Sequence, residues 1–272
     1  VDIHTVTSFR RAGSRADLDL GAGEVFLAGG TWLLSEPQPD VTGFVDLTTL
    51  GWPDLEISAT GLRIAATCTI ARLVAWARTA APEDWPAAAT IPDAANALLA
   101  SFKIWNTATI GGNVARSFAA AGMVALAAGL DGVAEIWTPD GGERRTPVAD
   151  LVTGNGTNSL GPGEVIRAIE LPAAALASRF VLRKIALAEF GRSGAVVTGR
   201  LDPSGATVFG ITAATERPTV LRFPGLPDAV HLRAAVAAAS GYYSDPLGSA
   251  DWRRGVSTTL AERIRGELAE AA

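Results

Sequence analysis

Residues 107–116 read TATIGGNVAR, and residues 26–34 read FLAGGTWLL. In each stretch an apolar, strand-like approach breaks at a glycine pair followed by a small polar residue. Glycine has no Cβ, so backbone can turn sharply there or come close to another group. A single glycine pair is an ordinary turn. Two of them, each entered from a β-like segment, read as two loops holding one ligand. Successive N–H groups in a tight glycine turn form a concave donor array for phosphate oxygens. Two such arrays could grip the two phosphates of a dinucleotide without a lysine. Thr31, Thr109 and Asn113 add side-chain hydrogen-bonding groups at the rims.

Composition limits what such a ligand could do. The chain has 272 residues, 48% apolar and 19% charged, which suits an ordered globular protein with a sizeable core. A net charge of −5 argues against nucleic acid as a partner. No apolar run reaches the roughly 18–20 residues needed to span a bilayer. The opening VDIHTVTSFRRAGS lacks the apolar segment of a secretory signal, so a cytoplasmic location is expected. Cys68 is the one cysteine, which excludes internal disulfides and Cys-ligated clusters within this chain. The two histidines, His4 and His231, give little material for a metal site or a catalytic triad. Redox chemistry here would need an organic cofactor.

The pattern along the chain predicts an α+β protein, with strands grouped ahead of helices rather than a doubly wound sheet. Residues 1–50 read as strand, helix and strand, with the helix near DLDLGAGE, then a buried strand at Val25–Leu27 and another strand at 43–50. Residues 54–67 read as a hairpin through Thr60-Gly61. Helices are expected at 69–81, 91–102 and 118–130, and two strands flank the Asp-Gly-Gly turn at 140–142. GNGTNSLG at 154–161 lacks a third glycine and a following helix, and reads as a plain loop. After a strand at 163–172, a boundary divides 1–173 from 174–272. The second part reads as a three-strand meander near 180–187, 194–201 and 206–213, followed by helices at 228–240 and 249–269.

The ordered set LAGGTWLL, FVDLTTL, LRIAATCTI, NTATIGGNVA and LGPGEVIRAIELP resembles the FAD-binding medium subunit of molybdenum hydroxylases of the carbon monoxide dehydrogenase and xanthine dehydrogenase type. FVLRKIALAEFG and GSADWRRGVSTTLAERI extend the likeness to the C-terminal part. The resemblance implies a two-part flavin domain of the vanillyl-alcohol oxidase (PCMH) type, then a three-stranded antiparallel sheet with a helix bundle. It implies noncovalent FAD, an oxidoreductase role in electron transfer, and partner subunits that carry the molybdenum cofactor and the iron–sulfur clusters. NAD, oxygen or a quinone would take the electrons. By the same resemblance Ala28, Gly29, Gly30, Thr31, Trp32 and Leu33 would hold the diphosphate from one side. Ile110, Gly111, Gly112 and Asn113, flanked by Thr107 and Thr109, would hold it and the ribityl chain from the other. Lys184 would lie near the flavin ring, and Phe190 would stack on it.

Some positions depart from the family pattern. Trp32 stands where a small polar residue is usual, Phe118-Ala119 where Ser-Pro is usual, and Gly122 where an acidic residue bonds cofactor hydroxyls. SEPQP at 35–39 lacks the usual basic residue. Each lost hydrogen bond would cost about 0.5–1.5 kcal/mol of affinity. FAD binding weaker than in relatives is therefore expected, with Gly122→Asp tightening it. Gly30→Val or Gly111→Val is expected to abolish FAD retention while sparing the fold. Two other readings remain open at this point: a stand-alone flavin oxidoreductase, and a scaffold that has lost FAD.

Overall fold

Residues 3–270 are described by a computed structural model. Ser8–Arg11 (β1), Glu24–Leu27 (β2) and Gly43–Asp46 (β3) form a parallel sheet in the order β1-β3-β2. Phe44 and Val45 are buried, which suits the central place of β3. The helix expected near DLDLGAGE is only a 3-10 turn, Arg15–Leu18, since Gly21 and Gly23 favour a turn over a continued helix. Val25–Leu27 forms a strand, but a half-buried one at the sheet's edge.

A second sheet is antiparallel and five-stranded. Leu55–Ser58 (β4) and Gly61–Ala65 (β5) are the expected hairpin, and Val133–Trp137 (β6) and Glu143–Pro147 (β7) flank the Asp-Gly-Gly turn. Residues 154–161 contribute a minor hairpin, Val152–Gly154 (β8) with Thr157–Asn158 (β9). Val165–Pro172 (β10) lies in the middle of the five-stranded sheet, whose order is β4-β5-β10-β6-β7. Its register sets Ile169 beside Ile64 on one side and Ala134 on the other, all buried.

Helices cover this sheet. Ile70–Thr79 (α1) starts where the Thr69 hydroxyl accepts from the Arg72 amide at 3.2 Å. Ile91–Ala97 (α2) is shorter than expected because Leu98 turns extended, and Phe102–Trp105 forms a separate single turn. Ile110–Arg116 (α3) ends at Ser117, whose φ of 55° is left-handed. Gly122–Gly129 (α4) consequently begins later than the apolar run suggests, and all eight of its residues are buried.

Beyond Pro172 and a one-turn helix, Ala173–Leu176, the chain enters the third large sheet. It has four strands, not three: Arg179–Ile185 (β11), Ala195–Leu201 (β12), Thr207–Thr212 (β13) and Thr219–Phe223 (β14). β14 is a half-buried edge strand directly after Pro218. Alternation along β12 shows how both faces are covered. Val196 joins the core around α4, while Val197 packs with Leu260 and Ile264. Those two residues belong to Ala250–Ala269 (α6), which with Ala229–Ala237 (α5) forms a helix pair rather than a bundle.

Candidate functional site

The two glycine loops meet at one cleft of about 620 Å³, within the range of about 300–1,000 Å³ usual for ligand pockets. β2 delivers the first loop and α3 the second. Ala28, Gly29, Gly30, Thr31, Trp32 and Leu33 all line the cleft, as do Thr109, Gly111, Gly112 and Asn113. Four expected site residues do not. Ile110 is buried in the core, and Thr107 is exposed beside the loop. The Lys184 ammonium donates to the Asn96 carbonyl at 2.9 Å, and Phe190 is 82% exposed on the loop after β11. That loop still reaches the rim, because Arg192 and Ser193 line the cleft and the Ser193 hydroxyl donates to the Ala97 carbonyl at 2.9 Å.

The loops differ in how their backbone is used. In the second, every amide is engaged. Ile110 N–H donates to the Cys68 carbonyl and Gly111 N–H to the Ala66 carbonyl, both at 2.9 Å. Gly112 N–H donates to the Thr109 hydroxyl at 3.1 Å, and Asn113 N–H to the Thr109 carbonyl at 2.9 Å. Asn113 Oδ1 in turn accepts from the Met123 amide at 3.0 Å, tying α3 to α4. This loop is a zipped junction, so the expectation of two amide arrays is corrected here. In the first loop the amides from Gly29 through Leu33 donate to no group among the described residues. Free donors beside a cleft must bond water or a ligand.

The reasons for the glycines differ too. A Cβ on Gly29 would overlap the Thr107 carbonyl oxygen, so the two loops touch backbone to backbone. Gly30 has a φ of +67°, a left-handed conformation that favours glycine. A Cβ on Gly111 would overlap the Ala66 methyl and lie 2.8 Å from the Ala66 Cα and carbonyl oxygen. On Gly112 it would meet only the Thr109 hydroxyl, at 2.9 Å. Gly122 is likewise a packing residue: a Cβ there would overlap the Ala94 carbonyl oxygen of α2. No carboxylate fits at that position, which overturns the expected gain from Gly122→Asp.

Sequence reading missed the group that joins the loops. The Arg116 guanidinium carbon sits 3.9 Å from the Trp32 ring centroid and 3.9 Å from that of Phe118. The two rings meet edge to face with centroids 6.2 Å apart. Arg192 lies 5.8 Å from the Phe118 ring. Two of the departures from the family pattern, Trp32 and Phe118, are thus one cluster around one cation. The available signal was Arg116 itself, four residues after Gly112 and therefore on the same helix face. Cys68 is fully buried, and burial pushes its thiol up to about 12, so it is an inert core residue.

Among the described residues no helix is long and apolar enough to cross a membrane. No curated protein matches the sequence. Solved structures do match over nearly the whole chain. Reconstituted CO dehydrogenase from Oligotropha carboxidovorans is 25% identical, with 97% of each chain covered and a TM-score of 0.83. A cyanide-inactivated Cu,Mo-CO dehydrogenase is 24% identical, covering 98% of this chain and 99% of that one, with a TM-score of 0.84. Quinoline 2-oxidoreductase from Pseudomonas putida 86 is 22% identical, with 97% of each covered and a TM-score of 0.79. Residues 15–174, more than half of the chain, match the family described as the FAD binding domain in molybdopterin dehydrogenase. As the ordered motifs implied, the chain belongs to that family, the FAD-binding component of a class of oxidoreductases.

Proposed function

We propose that this chain is the electron-transfer flavoprotein subunit of a molybdenum hydroxylase-type dehydrogenase. Electrons would come from iron–sulfur clusters of a small partner subunit, after substrate oxidation at a molybdenum-cofactor large subunit. They would leave for an external acceptor such as NAD, oxygen or a quinone. The observation that carries the reading is the first loop, whose free amides from Gly29 through Leu33 face a cleft of about 620 Å³. Those donors fit a diphosphate, and apolar lining residues such as Leu98, Leu99, Ile104, Val165 and Ile166 fit flat ring systems. A single, buried cysteine supports placing the clusters on partners.

Bound FAD would supply two-electron storage with release one electron at a time or as a pair. The residues of this chain bind and orient it. In the proposal, residues 28–33 grip the diphosphate, Thr109 and Asn113 offer the hydroxyl hydrogen and the amide nitrogen that their internal bonds leave over, and Gly111 and Gly112 form the opposite wall with Thr107 and Ile110 behind it. Lys184 and Phe190, on β11 and its loop, would approach the ring from the rim, so that units 1–173 and 174–272 both serve the cofactor. The complex would work in the cytoplasm.

Purifying the chain with its co-expressed partners tests this. A flavin spectrum with about one FAD released per chain on denaturation, bleached when substrate is added, is the expected result. A colourless chain would favour the scaffold reading, and a flavoprotein that turns over without partners would favour the stand-alone enzyme.

A further inference from the structure

We propose that Arg116, clasped between Trp32 and Phe118, is a cationic clamp for the diphosphate of the bound cofactor. The inference rests on the flavoprotein reading above and adds the part that the backbone does not supply. A diphosphate seated between the loops finds free amides only on the first, because the amides of residues 110–113 are all spent internally. What the second loop has left, the Thr109 hydroxyl hydrogen and the Asn113 amide nitrogen, is neutral. Neutral donors on one wall do not balance the charge of a dianion removed from water.

Arg116 has the position and the unspent capacity to do so. Its side chain leaves α3 four residues after Gly112, and long helical side chains lean toward the helix start. Its guanidinium ends beside the Gly156 turn, where a Cβ on Gly156 would lie 3.3 Å from one terminal nitrogen and 3.7 Å from the other. Trp32 belongs to the first loop, so a guanidinium stacked on it spans from one loop to the other. Trp32, Arg116 and Phe118 all line the cleft. The two rings stand at 76° to each other, so the guanidinium packs into the corner they form and its N–H edges are left to bond. One of those edges donates to the Gly156 carbonyl at 3.3 Å. Nε is buried without a partner, and no carboxylate comes within ion-pair distance among the described residues. Glu36 lines the same cleft outside ion-pair distance, and its negative charge acts on Arg116 from there. Burial lowers the guanidinium's proton affinity from its ordinary value, and the nearby Glu36 charge offsets part of that. Arginine is the side chain whose planar fork matches phosphate oxygens.

Flavin-stripped full-length chain, titrated with FAD and followed by flavin fluorescence, tests the clamp. Arg116→Met raises the Kd about 10- to 100-fold, the range for one charge-assisted hydrogen bond, and flattens the dependence of Kd on salt. Riboflavin, which has no phosphate, binds wild type and variant alike. Arg116→Lys keeps a point charge without the planar stack and falls between the two. An Arg116→Met chain with wild-type melting temperature and wild-type Kd overturns the proposal, as does an equal loss for riboflavin and FAD. If the methionine variant does not fold, the lysine variant decides: competition by inorganic pyrophosphate weaker than in wild type supports the clamp, and competition equal to wild type refutes it. A wild-type chain that takes up no FAD would sink the flavoprotein reading. Calorimetry with pyrophosphate alone would then judge the clamp separately, equal affinity in wild type and Arg116→Met overturning it.

Discussion

Gly29 and Gly30 end a strand of the parallel sheet and leave a run of amides unspent, whereas Gly111 and Gly112 open a helix whose amides are all engaged. In sequence the two pairs look alike, each an apolar approach, two glycines and a small polar residue. Their difference comes from what lies beside them. The second pair is zipped to residues 66–68 just ahead of α1, where Thr69 bridges Thr109, and its hydrogen-bonding capacity goes into building the fold. The first pair meets no parallel neighbour strand beyond Leu27 and keeps its donors for the cleft. A glycine pair therefore reports close backbone approach, and only the surrounding topology says whether protein or ligand is what approaches.

Substitution separates the two pairs, and the largest effects belong to glycines that the protein itself requires. Gly111→Val should destabilise the fold by about 3 kcal/mol or more, the upper end for overpacking, because the Ala66 backbone cannot retreat. Gly122→Asp should behave in the same way against the Ala94 carbonyl, with a buried carboxylate added. Thermal or denaturant unfolding of both variants checks this. Wild-type stability in Gly111→Val would mean that the second pair is not zipped as described.

Gly30→Val should act on the ligand more than on the fold. Its φ of +67° costs a β-branched residue about 1–2 kcal/mol, and the added side chain meets the ends of Leu27 and Leu34 at 3.0 Å, where flexible groups can yield. Relief of the strain would turn the amides of the first loop away from the cleft. The expected result is a folded chain that loses flavin on gel filtration. Wild-type flavin content in Gly30→Val would remove the first loop from the diphosphate site.

Much of the fold was legible from short-range signals. The 55–65 hairpin alternates cleanly, and the Thr69 cap and the Asp-Gly-Gly turn are local chemistry. What was hidden depends on partners far along the chain. β14 is short and half-exposed, so its membership in the sheet is set by β13 rather than by its own pattern. The start of α4 depends on Ser117 taking a left-handed conformation, which nothing in an alanine-rich run announces. At the site, both loops were visible as glycine pairs, but the amide partners at Ala66 and Cys68 lie more than forty residues away. Trp32 and Phe118 looked like two separate departures until the fold set Arg116 between them.

Gly112→Ala gives the smallest effect on stability and still separates fold from ligand. Of the four glycines it is the one whose missing side chain the protein does not need, since its Cβ would meet only the Thr109 hydroxyl, at 2.9 Å. Two terms then oppose each other in stability. Alanine within a helix gains about 0.8–1 kcal/mol over glycine. Displacing the capping hydroxyl, which accepts from the Gly112 amide at 3.1 Å, costs about 1 kcal/mol. The unfolding free energy should therefore change by less than about 1 kcal/mol. Gly112 nevertheless lines the cleft, so the methyl would be added to its wall. If glycine is kept at 112 for the cofactor's approach, FAD affinity falls about tenfold, or about 1.4 kcal/mol, while the melting temperature barely moves. An unchanged affinity would show that the second pair serves the fold alone, leaving the first loop and Arg116 to hold the diphosphate between them.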